Sequence, residues 1–454
     1  QFLEQLQTDG PPPVSIYMGR LEDPENLTGQ GKTPIMALSG RPRMRAGILD
    51  EGSFGGSVMK RIPLSEGGEV HFKTAAPKDV PAIIRLYDEV YSGTYTRREV
   101  KEPEFARKKI EDPNYFWELA FLEKRLIGSI IFAIDPVNKL GKCYAAAVLE
   151  EFRSQDVMRS MVLQGLERLT KRTRTCDAIY AITRTVSVAS QVGLEHVGFH
   201  PMGIFPNVRK VKSYETHGLE IFFREGALAL RRKHPKLVSE VVDVYKIVRE
   251  LLKLEDFELN DLEKKDPRKM GPQIRFCVQD QEEEVKKKFE DYQNRDRMKK
   301  VFFPFVEPNL LFTAENGEAE IFLNFDNAGG HAEIVGYCSK NDDFHNVLMW
   351  FCEAASQAGI RYIELLVSAF RPDLQRVALD SKFLPCAYYP IMRLNDQGER
   401  EDHLLFSRSF ETLDFIDMHL VATNRRFLDA FMKSWYEMLV RCQPSFDDED
   451  WRIG

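Results

Sequence analysis

Two separated segments of this chain recur at a single spacing. The segment GFHPMGIFP at 198–206 resembles KFLPCAYYP at 382–390, and GLEIFFR at 218–224 resembles DHLLFSR at 402–408. The step along the chain from position 198 to position 382 equals the step from 218 to 402, and we call it the duplication offset. Because one offset serves both pairs, the sequence indicates an internal duplication, and a duplicated unit restricts the fold to two related halves.

The first copy alternates between strand-like and helix-like patterns from about residue 69. Runs of β-branched and aromatic residues predict strands, and apolar residues at helical spacing predict helices. The predicted strands are 70–76, 115–123, 125–135, 142–151, 178–185 and 218–223, and the predicted helices are 78–92, 103–112, 154–172 and 187–196. This order is typical of a mixed sheet with helices on both faces, so the predicted fold class is α/β, with an α+β mixed sheet.

The chain divides into five predicted segments. Residues 1–68 are rich in Gly and Pro and are interpreted as an extended N-terminal arm. The two units span 69–225 and 273–410, and a helical connector with a charged linker at 226–272 separates them. Residues 411–454 are predicted to form C-terminal helices that carry a wide apolar stripe. We expect the arm and these helices to pack on the core or to contact another subunit or a protein partner.

Composition excludes several classes of protein. With 43% hydrophobic and 29% charged residues, the 454-residue chain is typical of a soluble globular protein, and no apolar run approaches the ~18 residues that cross a membrane. The net charge of −7 argues against nucleic acid as a partner. Seven cysteines without a C-x-x-C pair indicate free thiols in a reducing compartment, so we expect a cytoplasmic protein.

The junction LEEFRSQDVMRSMV at 149–162 joins a predicted strand to a predicted helix. A helix N-terminus presents free amide groups and a partial positive charge, which suit an anion. This junction and the element order of 69–225 resemble the GNAT superfamily of acyl-CoA N-acyltransferases, and 273–410 resembles a second, more diverged copy. The resemblance implies two GNAT-like acyl-CoA N-acyltransferase units in tandem. It also implies acetyl-CoA or another acyl-CoA as co-substrate and a small-molecule or protein amine as acceptor.

The resemblance also implies a set of cofactor-binding positions. In the superfamily, the fourth strand exposes backbone groups to the pantetheine arm, and a turn of the form R/Q-x-x-G-x-G/A directs amides at the pyrophosphate. The positions that align with these are Val148, Leu149, Arg153, Ser154, Gln155, Asp156, Val157, Met158, Arg159 and, where the family has Asn, Ser187. Arg153 fits the pattern, whereas Asp156 places a carboxylate, and Met158 a bulky side chain, where small residues are usual.

Catalytic groups are harder to assign from the sequence. The tyrosine that the family uses to protonate the leaving thiolate is replaced by Leu194. Acyl transfer to an amine needs a base, and the sequence offers Glu150 and Glu151 at the end of the fourth strand. Tyr144 and Tyr180, on neighbouring strands, are alternative proton donors. No His, Cys or Asp cluster has the spacing of metal ligands, so no metal is expected.

Three functions follow from these patterns. The first is transfer of an acetyl or other acyl group from acyl-CoA to an amine, with the activity in the first unit. The second is a catalytically inactive GNAT-like scaffold or binding subunit, which the missing glycines and tyrosine favour. An aminoacyl-tRNA-dependent transferase also uses tandem units, but it needs a basic face that the acidic total disfavours.

Overall fold

The computed structural model describes residues 61–442 except for 65–66, 93–94, 96, 154, 211–212, 267–268, 296, 302, 341–342 and 396. The predicted arm up to residue 60 and the turn residue Ser154 lie outside the described residues. Within the part of the chain that is described, no helix is both long and apolar enough to cross a membrane.

The first half of the fold alternates strands and helices much as the sequence predicts. Its elements are β1 (Arg61–Pro63), β2 (Glu69–Thr74), α1 (Val80–Tyr91), α2 (Pro103–Glu111), β3 (Tyr115–Leu122), β4 (Arg125–Asp135), β5 (Leu140–Val148), α3 (Val157–Leu166), β6 (Ala178–Arg184), α4 (Ala189–Glu195), β7 (His200–Lys210) and β8 (Tyr214–Phe223). Helix α1 forms because its apolar residues recur every three or four positions, so that Ile83, Leu86 and Tyr87 are buried on one face. A π-helical turn at Glu167–Arg172 extends α3.

The second half repeats this alternation. Its elements are β9 (Lys236–Leu237), α5 (Val242–Leu252), β10 (Glu258–Leu259), β11 (Phe276–Gln279), α6 (Glu282–Asn294), β12 (Lys299–Lys300), β13 (Leu310–Ala314), β14 (Ala319–Asp326), β15 (His331–Ser339), α7 (Phe344–Gln357), β16 (Tyr362–Ser368), α8 (Pro372–Asp380), β17 (Leu384–Leu394), β18 (Arg400–Ser409) and α9 (Ala422–Cys442).

Both halves contribute to one 16-stranded sheet. The strand order is β1-β2-β3-β4-β5-β6-β8-β7 in the first half and, read towards the junction, β11-β13-β14-β15-β16-β18-β17 in the second. The β5–β6 and β15–β16 pairs are parallel. The halves meet where Gly203 of β7 pairs with Ala387 of β17. The predicted α/β class with a mixed sheet is therefore confirmed.

Backbone irregularities recur at the duplication offset. Strand β7 changes register between Pro201 and Gly203 and again between Phe205 and Arg209. Strand β17 changes register at the corresponding positions of the second copy, from Pro385 to Ala387 and from Tyr389 to Arg393. Asn207 and Ile391, which also correspond at this offset, both have positive φ angles, of 57° and 51°. The duplicated sequence therefore corresponds to a duplicated backbone path in these two strands.

The C-terminal segment connects the two halves. Helix α9 packs on β7, β17 and α5, and Phe427, Ala430 and Phe431 are buried in the core that the halves share. Before α9, the chain returns to the first half, where the His419 amide donates to the Thr185 carbonyl at 2.7 Å and the Asp414 amide donates to Asn207 Oδ1 at 3.0 Å. The first part of the apolar stripe of α9 therefore packs inside this chain, whereas Tyr436, Leu439 and Val440 near its end are exposed.

Two element boundaries differ from the predictions at the LEEFRSQDVMRSMV junction. The strand predicted to reach residue 151 ends at Val148, and Glu150–Phe152 forms a 3-10 turn. The helix predicted from residue 154 begins at Val157, with Asp156 as its N-cap. The hydrophobic pattern missed this turn because Leu149 and Phe152 continue it through residues that are no longer extended.

Candidate functional site

The parallel strands β5 and β6 separate part way along their length. Their pairing runs from Leu140 with Ala178 to Cys143 with Ala181, although β5 continues to Val148 and β6 to Arg184. Residues 144–148 of β5 therefore border an opening in the sheet on the β6 side. Openings of this kind leave backbone groups unpaired by a neighbouring strand, so they are available to a ligand or to side chains.

A bulge shapes β5 where it enters this opening. Ala145 has a φ angle of 50°, and the β4–β5 register shifts between Ser129 and Ile131. Two tyrosines of α1 close on the bulge: the Tyr87 hydroxyl donates to the Ala145 carbonyl, and the Tyr91 hydroxyl donates to the Ala146 carbonyl at 2.9 Å. Helix α1 therefore fixes the position of the bulge and occupies two of its carbonyl groups.

The turn between β5 and α3 contains most of the predicted cofactor-binding residues. Val148 and Leu149 are buried, and the Leu149 amide donates to the Ile127 carbonyl at 3.0 Å. The exposed Arg153 turns back, so that its Nε donates to the Val148 carbonyl at 3.3 Å. Gln155 Nε2 donates to the Glu151 carbonyl at 3.0 Å. These polar side chains therefore stabilise the turn itself.

The start of α3 keeps the geometry of a glycine-containing turn without the glycine. Asp156 has φ 56° and ψ 10°, in the left-handed region that Gly adopts most readily and that Asp tolerates better than most residues. Its exposed side chain makes no capping hydrogen bond to the helix. Val157 is buried, Met158 is half-buried, and Arg159 is exposed. The start of α3 thus has no side-chain cap and carries an exposed carboxylate at Asp156 and an exposed guanidinium group at Arg159.

Ser187 lies at the other side of the opening, ahead of α4. Its side chain is exposed, and its Oγ accepts a hydrogen bond from the Ala189 amide at 3.4 Å. Leu194, which stands where the family has its tyrosine, is half-buried against the core of the first half. Ser187 is therefore placed near the β6 end of the opening, whereas Leu194 offers no proton.

The two predicted glutamate bases lie beyond the end of β5. Glu150 and Glu151 are exposed on the 3-10 turn, and Glu151 pairs with Arg125 at 2.8 Å. Because the strand ends at Val148, the alternation of strand side chains does not extend to them. The structure therefore separates them from Tyr144 and Tyr180, which lie farther back on β5 and β6.

Tyr144 and Tyr180 share one face of the sheet with Lys142. Lys142 of β5 and Tyr180 of β6 are register partners, and Tyr144 lies two residues after Lys142 on β5, so its side chain points to the same face. The Arg97 guanidinium lies 4.9 Å from the centroid of the Tyr144 ring, and Arg97 pairs with Glu99 at 3.6 Å. Burial and then the nearby Glu99 carboxylate raise the pKa of Tyr144 well above its usual value. Burial, followed by the Arg97 charge, lowers the pKa of Lys142.

The second half of the chain contributes to the same place. The Tyr180 ring meets the Tyr389 ring edge-on, with centroids 5.9 Å apart. The carboxylates of Glu333 and Glu364 raise the pKa of Lys142 in opposition to burial, so they lie within electrostatic range of it. We call the region bounded by Arg97, Glu99, Lys142, Tyr144, Tyr180, His331, Glu333, Glu364 and Tyr389 the inter-half chamber.

Sequence reasoning missed seven residues of the inter-half chamber, which are Arg97, Glu99, Lys142, His331, Glu333, Glu364 and Tyr389. The alternating His-x-Glu at 331–333, which lies on β15, was a usable signal because alternate side chains of a strand point to the same face. No comparable local signal marks Arg97 and Glu99, because they lie between α1 and α2, and packing alone brings them to Tyr144.

Comparison with known proteins gives one family. Residues 80–199 match the family described as Acetyltransferase (GNAT) family. Among curated proteins, no match reaches significance. Solved structures similar to this chain include an acetyltransferase of GNAT family from Streptococcus pneumoniae, at 14% identity and a TM-score of 0.31, covering 34% of this chain and 99% of that chain. Another is the ribosomal-protein-S18-alanine N-acetyltransferase from Escherichia coli, at 13% identity and a TM-score of 0.30, covering 34% of this chain and 94% of that chain.

Proposed function

We propose, from the match of residues 80–199 to the GNAT acetyltransferase family, that the chain is an acyl-CoA-dependent N-acyltransferase whose active site lies in the first half. The observation that carries the proposal is the opening between β5 and β6. The strands part after Cys143 and Ala181, and ionisable side chains of the inter-half chamber lie where they part. The acyl donor enters the opening, and the amine acceptor comes from the chamber.

The acyl-CoA is proposed to lie along β5 towards the turn. Its pantetheine arm runs beside residues 144–148, and its pyrophosphate meets the free amides at the start of α3, where the helix dipole favours an anion. Arg153 supplies a positive charge if its side chain leaves the Val148 carbonyl, which is 3.3 Å from its Nε. Ser187 borders the opposite side. The Asp156 carboxylate opposes this binding, so we expect a weak affinity for CoA.

The chemical step is nucleophilic attack by the amine on the thioester carbonyl. A carbon–nitrogen bond forms, the carbon–sulfur bond breaks, and the amine loses a proton to a base. We assign the base to Glu99, whose carboxylate lies against Tyr144, and we assign hydrogen-bond donation to the leaving thiolate to Tyr144. The raised pKa keeps Tyr144 protonated, which suits a donor. Glu150 lies on the 3-10 turn beyond the end of β5, so it suits the chemistry less well.

The second half is proposed to be a diverged GNAT-like unit that shapes the acceptor side of the chamber. The recurrence of the β7 irregularities in β17 supports this proposal. Tyr389 contacts Tyr180 directly, so the second half can select the acceptor without binding acyl-CoA. A cytoplasmic location is proposed as well, because the six cysteines whose side chains the structure describes are free thiols.

One observation favours the catalytically inactive alternative. The Ala145, Ala146 and Val148 carbonyls, which border the opening, already accept hydrogen bonds from Tyr87, Tyr91 and Arg153. A pantetheine arm that needs these acceptors must displace the side chains. A chain that does not bind acyl-CoA would keep these hydrogen bonds as internal stabilisation and would use the inter-half chamber to bind a partner.

Calorimetric titration with CoA and acetyl-CoA separates the two functions. We expect saturable binding, weakened roughly 3- to 10-fold by Arg153→Ala, which corresponds to about 1 kcal/mol for one solvent-exposed charge interaction. Arg249→Ala, on the far helix α5, is the matched control and should bind as wild type does. A thiol-release assay with a panel of amines then measures transfer. Absence of heat at millimolar ligand would leave the inactive alternative in place.

A further inference from the structure

Three potential metal ligands converge on the face of the second half that borders the chamber. They are His331, Glu333 and Glu364, and one ligand atom from each lies within 4.8 Å of the other two. His331 Nε2 is 3.2 Å from Glu364 Oε1. The residues converge because of strand geometry: His331 and Glu333 lie on the same face of β15, and Glu364 is the parallel register partner of Glu333 on β16.

One polar atom of this triplet lacks a hydrogen bond among the described residues. His331 Nε2 is buried and has no hydrogen-bond partner, although it faces the Glu364 carboxylate. Glu364 is buried, with a relative exposure of 5%, so water compensates little of its charge. Glu333 forms no ion pair within 4 Å with any described residue. An unpaired buried polar group destabilises the fold, so His331 Nε2, which is buried without a hydrogen bond among the described residues, would gain from a further partner.

The first half carries other residue types at the register positions that correspond to Glu333 and Glu364. Lys142 and Tyr180 pair on β5 and β6 as Glu333 and Glu364 pair on β15 and β16. They supply a cation and a phenol instead of two carboxylates. The first half therefore lacks a second copy of the triplet among its described residues, and the acidic pair is a particular feature of the second half.

We propose that His331, Glu333 and Glu364 form a three-ligand site for a divalent transition-metal ion. One imidazole nitrogen with two carboxylate oxygens suits Zn²⁺, Mn²⁺ or Fe²⁺, and three protein ligands leave a coordination position open to water or to a substrate atom. Ligand bonds of about 2.0–2.2 Å place the donor atoms around one ion up to roughly 4 Å apart. The ligand atoms of His331, Glu333 and Glu364 lie up to 4.8 Å apart, so a side-chain movement of under about 1 Å would bring them to bonding distance.

The ion would satisfy several charges at once. It replaces the missing partner of His331 Nε2 and neutralises the two carboxylates, which otherwise face each other on adjacent strands. Glu333 and Glu364 lie within electrostatic range of Lys142, so the proposed site is close to residues of the first half. The proposal goes beyond acyl transfer and does not depend on it, because metal binding is measured without CoA.

Titration of the chelator-treated full chain with Zn²⁺ tests the site. We expect one Zn²⁺ per chain, with affinity at least 10-fold lower in Glu364→Gln and in His331→Gln, since each removes one of three ligands. Glu353→Gln and His196→Gln change exposed residues of the same types and should bind as wild type does. Equal affinity in wild type and Glu364→Gln would overturn the assignment.

A measurement on the wild type keeps the proposal testable if a variant fails to fold. X-ray absorption of the Zn²⁺-loaded protein should show nitrogen and oxygen ligands with an imidazole signature. Sulfur ligands would instead place the ion on cysteines and overturn the site. Absence of any stoichiometric Zn²⁺ or Mn²⁺ binding would overturn it too, and would show that His331 serves as the counter-ion of the two carboxylates.

Discussion

Gly203 and Ala387 join the two halves of the sheet at a single paired position. A Cβ atom on Gly203 would lie 2.2 Å from the Ala387 Cβ and 2.4 Å from its Cα, so no side chain fits between them. The close approach lets β7 and β17 continue one sheet instead of packing as separate domains. The joint contributes, with the shared core and helix α9, to the single compact unit that the described residues form.

Gly203→Ala should therefore destabilise the fold by about 1–3 kcal/mol or more, because overpacking forces both strands to shift. Urea unfolding followed by circular dichroism measures the change. Gly193→Ala, on α4, is the matched control, since no heavy atom lies within 4 Å of the added Cβ. It should be neutral or stabilise by up to about 1 kcal/mol. Equal losses in both variants would contradict the role of the joint.

Arg231 holds the connector after β8 to the second half of the sheet. Its Nε lies 2.7 Å from Asp402 Oδ2, both residues are buried, and Asp402 also accepts from the Tyr388 hydroxyl at 2.6 Å. Arg231→Met leaves a buried carboxylate without its cation, so we expect a loss of about 3–5 kcal/mol in the free energy of unfolding.

The control for Arg231 is an exposed ion pair of the same type. Arg371 pairs with Asp373, and both side chains are about half exposed. Arg371→Met should change the free energy of unfolding by less than about 1 kcal/mol. A similar effect of the two substitutions in urea unfolding would show that burial does not decide the strength of the Arg231 pair.

Glu220 should make stability depend on pH. It is fully buried, with Asn424 Nδ2 donating to its Oε1 at 3.0 Å, and burial raises its pKa to about 8. The unfolded carboxyl has a pKa near 4.3, so from about pH 4.5 to about pH 8 the folded state holds one more proton than the unfolded state. Stability then falls as pH rises through this window, by up to about 1.4 kcal/mol per unit.

Glu220→Gln removes that titration. Thermal or urea unfolding between pH 5 and pH 8 should show that the stability of the variant relative to wild type increases as the pH rises. The difference should level off above about pH 8. Glu225→Gln, at an exposed position, should follow the wild-type profile. Parallel pH profiles for wild type and Glu220→Gln would mean that Glu220 is not protonated in the folded protein.

Asp156 should limit the affinity for CoA. Its carboxylate stands at the N-terminus of α3, and its backbone has the left-handed geometry of a glycine. Asp156→Asn keeps a residue that tolerates this geometry and removes the charge, so we expect CoA to bind roughly fivefold more tightly, as about 1 kcal/mol of repulsion predicts. Asp156→Gly should bind at least as tightly. Unchanged affinity in both would place the pyrophosphate elsewhere.

Tyr144→Phe should reduce kcat by about 100-fold or more if Tyr144 donates to the leaving thiolate, because positioned proton donors contribute at least that much. The KM for acetyl-CoA should change little, since the ring and its contact with Arg97 remain. Tyr292→Phe, on α6 in the second half, is the control and should keep full activity. Steady-state thiol release measures kcat and KM for both variants. A kcat of Tyr144→Phe equal to that of wild type would show that Tyr144 is not the donor to the thiolate.

Local sequence patterns predicted much of the fold because each reports a local preference. The strands from β2 to β6 and helices α1, α2 and α4 appear near their expected positions, and the resemblance to GNAT proteins holds for residues 80–199. The pattern failed at Glu150 and Glu151, because hydrophobic alternation cannot report a 3-10 turn. The domain boundaries and the assignment of cofactor-binding residues stay predictions.

The sequence by itself determined the α/β class and the strand–turn–helix junction, because residues near in the chain encode these features through periodicity and turn preference, whereas the internal duplication stays a prediction. Tertiary structure alone decided which ionisable side chains meet. Glu364 reaches His331 and Glu333 through the parallel pairing of β15 with β16, and Arg97 and Glu99 reach Tyr144 through the packing of a loop. Such meetings depend on the register and curvature of the whole sheet, which no short segment specifies.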